Sequence, residues 1–375
     1  MTLLHRGRTL HADDRIMTLG SASELILVVE GKNNMSEDAP ELPDNAVQAF
    51  MHNADAKQIS ENIVKFVLQK TANTEEPTEI LREYSKAFIT GRTLDMTDVT
   101  TPLDEGETTH LYIGRGTLFE NGTEEVMTAS NLRNTVEVTF YGELGEDLGG
   151  PRLEFFRLFI EEFVETQVCA EDGKITLRKS TDDIVHQRYY ASGIIIGLSA
   201  IQGGPCAPFL HTLLPQLKDQ EEHHRQFKAG LERVGIWQLL QQKPTVAHLF
   251  KPRNRQLTVT RLLQLLTPVF AEPGSNRRMA EDRAYSCFVR YVRNVAAGRR
   301  NISLGDILAF VTCLKEEPVM GFMKLPTVRF TELSGNLPTS STCSREMCLP
   351  IDIQNEEEMF YKYDLAFANA YFGCV

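Results

Sequence analysis

Apolar side chains recur along this chain at two spacings, and each spacing predicts a different kind of element. Over 136–140 and 327–331 apolar and polar residues alternate, the period of two that is typical of half-buried strands. Over 56–70 and 152–165 apolar residues return every third or fourth position, which predicts amphipathic helices. A further short strand is predicted over 346–349. The pattern therefore predicts helices and strands together.

Two helices near the C-terminus are marked by their first residues. Ser303 is followed three residues later by Asp306, so the two side chains can form a capping box. Asn355 and Glu358 have the same spacing, and acids in a first turn suit the positive end of the helix dipole. Upstream, the pattern over 185–300 is mainly helical. A largely helical section is therefore predicted to precede a compact section that also contains strands.

The N-terminal third of the chain is less dense in apolar residues. Residues 1–30 read as strand, turn and strand, and "GRTL", "IMTLG" and "ELILVV" resemble the second half of a ubiquitin-like β-grasp domain. The first hairpin and helix of such a domain are missing, and no Gly-Gly pair follows Val29. Residues 31–109 are predicted to be an acidic linker that holds short helices. Low hydrophobicity over 92–110 indicates a connector.

Charge and hydropathy argue against two kinds of partner. The formal net charge is -12 at pH 7, whereas nucleic acids and anionic membranes attract basic surfaces. The longest apolar run, 192–201, is about half of the ~20 residues that cross a bilayer, and it indicates a buried helix. We therefore expect neither nucleic acid nor a membrane as a partner.

Seven cysteines are spread through the chain without a Cys-x-x-Cys pair. An odd number without a regular framework predicts reduced thiols, as in the cytoplasm or the nucleus. No metal is predicted, because His223 and His224 lack the i, i+4 spacing of a helical zinc pair, and we expect them on a solvated helix face. No cofactor is predicted either, since Gly145, Gly149 and Gly150 lack the Gly-Lys-Ser/Thr ending of a phosphate loop.

The stretch "LPTSSTCSREMCLP", residues 337–350, places Cys343 after a run of small hydroxyl residues. Pro338 and Pro350 restrict the backbone on both sides, and the small neighbours leave the sulfur uncrowded. A thiolate is strongly nucleophilic, and acyl exchange between thiols needs access and positioning more than a dedicated base. Cys343 is therefore a candidate nucleophile, and the alternative is a structural cysteine in a loop.

Four motifs in this order resemble those of the HECT-type ubiquitin ligases. "VEVTFYGELGEDLGGPRLEFF" (136–156) resembles the start of the larger lobe, with its pattern V-x-F-x-G-E-x-G-x-D-x-G-G-P-x-x-E-F-F. "YYASGIIIGLSAIQGGPCAPFL" (189–210) is similar to the next helix and bend, and "DILAFVTCLKEEPVMGF" (306–322) to the opening of the catalytic lobe. "LPTSSTC" (337–343) resembles the active-site signature L-P-x-A-x-T-C. The likeness is greatest to a small, divergent branch that includes the cell-cycle-phase-specific ligases.

The resemblance implies an α+β fold with a bilobal HECT-like domain. Its mostly helical larger lobe, in shortened form, would occupy residues 110–275. Its compact α/β catalytic lobe would occupy residues 276–375. The partial β-grasp-like segment, 1–30, and the acidic linker, 31–109, would precede both lobes.

The resemblance also implies a reaction and its residues. Cys343 would accept ubiquitin from a ubiquitin-conjugating enzyme as a glycyl thioester, with Thr342 beside it, and pass it to a lysine of a protein substrate. Leu337 and Pro338 would present an edge to ubiquitin. Phe372, fourth from the C-terminus, would help to dock ubiquitin or the two lobes.

Departures from the family pattern leave a second function open. Ser344 and Arg345 replace the usual Phe-Asn after the cysteine, Cys313 stands where glycine is usual, and the larger lobe has little room to grip a conjugating enzyme. The alternative is therefore a catalytically weak or inactive HECT-like protein that acts as a binding or adaptor module of the ubiquitin system. A thiol hydrolase would need a histidine partner, and no histidine follows His248. Cys348 is expected to face inward on a strand.

Overall fold

The computed structural model describes the N-terminal strands and most of the chain after residue 55. Strands are described at residues 2–5, 8–9 and 25–28. The residues described in full are 56–94, 106–143, 147, 149–171, 174–218, 221–252, 257–332, 337–352 and 355–368. The chain divides into two compact units, Met1–Asn62 and Ile63–Val375.

Three strands of the first unit form an antiparallel sheet. β1 (Thr2–His5) lies between β2 (Arg8–Thr9) and β3 (Leu25–Val28). The register sets Leu3 opposite Leu27. The strand predicted at "ELILVV" is therefore present as β3, and "GRTL" overlaps β2. The stretch "IMTLG" of the predicted β-grasp-like segment lies outside the described residues.

The remaining elements are mostly helical. The described α-helices are α1 (Ala56–Lys70), α2 (Pro77–Phe88), α3 (Leu118–Thr128), α4 (Gly150–Gln167), α5 (Thr181–Val185), α6 (Arg188–Ile201), α7 (Leu210–Leu213), α8 (Glu222–Arg233), α9 (Ile236–Gln242), α10 (Val259–Leu265), α11 (Asn276–Ala296), α12 (Leu304–Thr312) and α13 (Glu356–Ala368). The 3₁₀ segments are Gln216–Lys218 and Pro244–Phe250. The further strands are β4 (Thr108–Ile113), β5 (Thr135–Phe140), β6 (Val168–Glu171), β7 (Lys174–Leu177), β8 (Thr267–Pro268), β9 (Thr327–Thr331), β10 (Thr339–Ser341) and β11 (Glu346–Pro350). The protein is therefore a mixed structure of helices and strands.

A parallel strand pair with a helix between its strands precedes the long helix α4. β4 and β5 pair in parallel with Leu111 opposite Val138, and both side chains are fully buried. The strand predicted over 136–140 is confirmed. The connector predicted over 92–110 is wrong from Thr108 onward, because threonines there extend a strand without an apolar pattern.

Helix α4 carries a row of phenylalanines into the core. Phe155, Phe159 and Phe163 are one turn apart and fully buried, with ring centroids 5.8 and 6.3 Å apart along the row. Phe163 also stacks on Phe227 of α8 at 5.7 Å. The helix predicted over 152–165 is therefore confirmed, and it begins two residues earlier, beside the site described below.

His223 and His224 lie on α8 and are buried, with only 3% and 4% of their surface exposed. The expectation of a solvated helix face is wrong. The β6–β7 hairpin lies against them, with Thr176 Oγ1 3.0 Å from His224 Nε2. The Tyr189 ring is 5.7 Å from the His223 ring on another side. The polar sequence of α8 could not predict the burial of the two histidines, because the residues that cover them belong to other elements of the chain.

The C-terminal part of the second unit is a four-stranded sheet packed against helices. The strand order is β10-β11-β9-β8, with β10 antiparallel to β11 and the other pairs parallel. Met347 and Leu349 of β11 enter a core that contains Tyr363 of α13. The strands predicted over 327–331 and 346–349 are confirmed.

Cys348 is half-buried and does not point into this core. Successive side chains of a strand face opposite sides of the sheet, and its neighbours Met347 and Leu349 occupy the core side. The inward orientation predicted for Cys348 is therefore wrong. Burial nevertheless raises the pKa of its thiol, and the nearby Glu346 charge adds to the effect.

The predicted helix starts are present. The Asp306 N–H donates to Ser303 Oγ at 3.2 Å and the Ser303 N–H donates to Asp306 Oδ2 at 2.8 Å, which confirms the capping box of α12. Before α13, Asn355 Oδ1 accepts a hydrogen bond from the Glu357 N–H at 3.0 Å. Among the described residues, no helix has the length and apolar character needed to span a membrane.

Candidate functional site

Cys343 lies at the tip of a tight hairpin. β10 and β11 pair antiparallel up to Ser341 opposite Glu346, and residues 342–345 form the turn between them. Cys343 is half-buried as a residue, and the paired strands hold its backbone. A nucleophile on a short turn between paired strands has little freedom to move relative to its sheet.

Arg345 closes the turn in a left-handed conformation with φ 52°. Asparagine, the residue that the resemblance places here, tolerates this region better than most residues. Arg345 is buried, its Nη1 donates to the Lys324 carbonyl at 3.3 Å, and its guanidinium lies 5.4 Å from the Phe322 ring centre. Its carbonyl also accepts the Thr327 N–H at 2.9 Å. Arg345 therefore anchors the base of the turn.

The hairpin is also tied to helix α12. The Ser340 hydroxyl donates a hydrogen bond to the Phe310 carbonyl. Within the turn, the Ser344 hydroxyl donates to the Ser341 carbonyl at 3.4 Å. The small hydroxyl residues of the stretch 339–344 therefore satisfy backbone groups locally, which keeps the turn compact around Cys343.

The hairpin tip rests on the first turn of α4. A Cβ built on Gly150 would lie 2.5 Å from Thr342 Oγ1 and 3.4 Å from Cys343 Sγ. One turn along the helix, Leu153 packs against Cys313 and Leu314. The N-cap residue Gly149 has φ 115°, a conformation that favours glycine. Gly149 and Gly150 thus allow the turn over residues 342–345 to approach the helix closely.

Buried polar contacts hold this end of α4 in place. The Asp147 carboxylate accepts the Val138 and Gly149 N–H groups, both at 2.8 Å. Burial raises the pKa of Asp147, and the Arg152 charge and backbone hydrogen bonds oppose that effect. Asp147 therefore connects strand β5 to the helix start.

Other residues of the same motif converge on one arginine. Arg115 forms ion pairs with Glu143 and with Glu154, the latter at 2.9 Å. Its guanidinium also lies 4.0 Å from the Phe140 ring centre. These motif residues, which sequence reasoning used only as a signature, therefore pack together at the start of α4, and the hairpin tip lies against Gly150 in that first turn.

A second thiol lies close to the tip. Cys313 is fully buried. Burial raises the pKa of the Cys313 thiol far above its ordinary value, and the Glu154 charge adds to this. Cys313 therefore stays protonated and is unsuited to be a nucleophile. Its replacement of a family glycine was visible in the sequence, but its closeness to Thr342 was not.

The three residues predicted to dock ubiquitin or the second lobe differ in exposure and in whether the structure describes them. Leu337 is exposed, with 43% of its surface accessible, whereas Pro338 is buried. Phe372 lies outside the described residues. The docking roles predicted for these three residues stay predictions. Among the described residues, no cluster of three or more potential metal ligands occurs.

Comparison with known proteins identifies the C-terminal part of the chain. The family model of the HECT-domain (ubiquitin-transferase) matches residues 220–374. The matched range contains the hairpin with Cys343 and Thr342, and the motif over 136–156 lies before it. A search of curated proteins found no match. Residues 220–374 of this chain are therefore similar to the HECT-domain (ubiquitin-transferase) family.

Proposed function

We propose that this chain is a ubiquitin-protein ligase in which Cys343 carries ubiquitin as a thioester before its transfer to a substrate lysine. The observation that carries the proposal is the position of Cys343 within the family match, half-buried at the tip of a hairpin. Its partners are ubiquitin, a ubiquitin-conjugating enzyme and protein substrates. Reduced thiols suit the cytoplasm or the nucleus.

The reaction has two acyl transfers. In the first, the Cys343 thiolate attacks the carbonyl carbon of the thioester between ubiquitin and the conjugating enzyme, and the conjugating enzyme's thiolate leaves. In the second, a neutral lysine amine attacks the new thioester, loses a proton, and the Cys343 thiolate leaves. The product is an amide, so the second transfer runs downhill. Each step needs an accessible sulfur held in position.

The contacts of the turn support distinct roles for its residues. Thr342 faces the first turn of α4 and positions Cys343, and Leu337 offers an exposed apolar side chain to ubiquitin. Pro338 stiffens the approach to β10, and Phe372 docks ubiquitin or the second lobe. The proposed bilobal division at about residue 275 lies after β8 (Thr267–Pro268), which belongs to the sheet that carries the hairpin.

A thioester assay tests the proposal. The protein is incubated with ubiquitin-activating enzyme, a panel of conjugating enzymes and labelled ubiquitin. We expect an adduct on a non-reducing gel that a thiol reductant removes, and Cys343→Ala should abolish it. Cys343→Ser should instead give an adduct that resists the reductant, because an oxyester forms. Cys169→Ala, at a partly exposed cysteine of β6, is the matched control and should keep the adduct.

A second candidate function, a catalytically weak or inactive binding module, has one observation in its favour. The family match begins at residue 220, so the helical section that would recruit a conjugating enzyme lies largely outside it. Ubiquitin binding without a reducible adduct across the whole panel would support the binding module and contradict the ligase.

A further inference from the structure

Arg345 is a buried charged residue two positions after Cys343. Only 5% of its surface is exposed, and its backbone has φ 52°, in the left-handed region that favours glycine and asparagine. Burying a cation and holding a long side chain in this conformation both cost free energy, so contacts around the residue must offset that cost. The question is what the Arg345 side chain contributes that a smaller residue in the turn would not.

The backbone and the side chain of Arg345 both contact the segment before β9. Its carbonyl accepts the Thr327 N–H at 2.9 Å, and its Nη1 donates to the Lys324 carbonyl at 3.3 Å. Its guanidinium lies 5.4 Å from the ring centre of Phe322, within the range of a cation–π interaction. Any residue could supply the carbonyl, whereas the other two contacts need a long cationic side chain. The side chain therefore ties the turn to the segment 322–324.

Phe322 links this contact to helix α4. It is partly buried and packs against a small apolar cluster, which consists of Leu153, Cys313 and Leu314. Leu153 lies three residues after Gly150 on α4, so it belongs to the end of the helix against which the hairpin tip lies. Arg345 is therefore linked through one aromatic ring to the same end of α4 that the tip contacts directly.

The residues on the two sides of Cys343 thus reach the same support. Before it, Thr342 Oγ1 would lie 2.5 Å from a Cβ at Gly150. After it, the Arg345 side chain reaches Phe322 and the Lys324 carbonyl. A short turn that is held at both ends has few ways to move, because a rotation at one end must break the contact at the other. Loss of the Arg345 side chain would release the second end of the turn.

We propose that Arg345 is a positioning residue that holds Cys343 at the hairpin tip through Phe322 and the Lys324 carbonyl. Its effect on ubiquitin transfer rests on the proposed function, whereas its effect on the tip does not. Asparagine in its place would relieve the backbone strain and would lose both side-chain contacts. The order of the tip and the stability of the whole protein are therefore expected to separate.

Four substitutions test the side chain and its partner. Arg345→Lys keeps a cation that can donate to the carbonyl, Arg345→Met keeps the length and the strain, and Arg345→Asn relieves the strain. Phe322→Leu removes the ring and keeps an apolar side chain. Arg329→Met is the matched control, because Arg329 lies on β9 of the same sheet and pairs with Glu346 at the surface. For each protein we would measure the thermal midpoint and the hydrogen exchange of residues 341–346 by mass spectrometry.

The expected pattern is specific. In Arg345→Met and Arg345→Asn the tip amides should exchange about tenfold faster than in the wild type, the population change that the loss of one charged donor gives. Arg345→Lys should stay within about threefold of the wild-type rate. Arg345→Asn should unfold at a higher temperature than Arg345→Met, because asparagine tolerates the left-handed region. Arg329→Met should leave the exchange within about twofold of the wild-type rate.

A double substitution tests the route through the ring. Phe322→Leu alone should speed the exchange of the tip about threefold, which is the effect of losing a cation–π contact. Added to Arg345→Met, it should give little further increase, because the ring has already lost its cation. Effects that multiply in the double variant would contradict the route through Phe322.

Wild-type exchange of the tip in both Arg345→Met and Arg345→Asn would overturn the inference. So would exchange that rises evenly over the whole sheet, since that would report a loss of stability without a specific effect on the turn. Either result leaves the thioester on Cys343 untouched, so the failure of the inference differs from the failure of the proposed function.

The thioester assay supplies the functional readout. In the two variants with faster exchange, the turnover of ubiquitin transfer should fall about tenfold or more while the KM for the conjugating enzyme stays unchanged, and Arg345→Lys should keep most of the turnover. Unchanged turnover in those two variants would contradict the effect on transfer. Faster exchange in the variants of a protein that never forms a ubiquitin adduct would support the positioning and contradict the ligase.

Discussion

At the residue scale, the hairpin tip occupies the space that a side chain at Gly150 would need. The closest atom to a Cβ there would be Thr342 Oγ1, at 2.5 Å, and real Cβ atoms do not approach a heavy atom that closely. The helix start is itself held by Asp147, so it cannot move away easily. Glycine is therefore required at this position by space.

Gly150→Ala should lower the free energy of unfolding by about 1–3 kcal/mol, because an extra methyl group overpacks the contact. Urea denaturation followed by fluorescence would measure it. Gly116→Ala is the matched control, since a Cβ there meets nothing within 4 Å and its effect should stay within about 0.5 kcal/mol. Equal losses in the two variants would contradict the close approach of the tip to α4.

At the element scale, the β6–β7 hairpin and helix α8 enclose a pair of histidines. The rings of His223 and His224 are 4.2 Å apart between centroids. Burial lowers the pKa of His223, the charge of His224 and that of Lys179 lower it further, and Glu221 and the Leu177 carbonyl oppose them. The folded protein therefore favours neutral His223, whose ordinary pKa is 6.5.

This packing predicts a loss of stability in mild acid. Below the ordinary pKa, the unfolded chain binds a proton at His223 more readily than the folded protein, so the free energy of unfolding falls as the pH falls. From about pH 7 to about pH 5, the wild type should lose more stability than His223→Gln. His186→Gln, at an exposed histidine, is the control and should keep the wild-type slope. Thermal midpoints across the pH range would show the difference.

At the scale of the whole molecule, arginines of the helical section hold the segment that follows α12. Arg157 on α4 donates to the Cys313 carbonyl at 2.7 Å, and Arg82 on α2 donates to the Met320 carbonyl at 3.0 Å. Arg261 adds a two-pronged ion pair with Glu317. The contacts of Arg157 and Arg82 connect helices α4 and α2 to the segment between α12 and β9.

Arg157→Ala should loosen the segment 314–322, because a charged donor to a part-buried carbonyl is worth about 1.5–3 kcal/mol. Hydrogen exchange measured by mass spectrometry should show faster exchange there and at the hairpin tip. Arg225→Ala, which removes an exposed pair with Glu222 within α8, should leave both segments unchanged. Unchanged exchange in Arg157→Ala would mean that other contacts suffice to join the two sections.

The amino-acid sequence alone determined the local elements and the chemistry. Alternation over 136–140 and 327–331, and the Ser303–Asp306 capping box, depend on neighbours in the chain, so they could be predicted. The stretch 337–343 similarly contains its nucleophile and the small residues around it. Its likeness to an active-site signature led to the family that the comparison supports over residues 220–374.

Only the tertiary structure decided which of these residues meet. Gly150 and Thr342 come from distant parts of the chain, and no periodicity relates them. An exposed His223 and an inward-facing Cys348 were predicted, and both predictions were wrong. Both orientations depend on which surface another element covers. Local patterns record the preferences of a segment, whereas contacts between segments follow from how their apolar faces pack together.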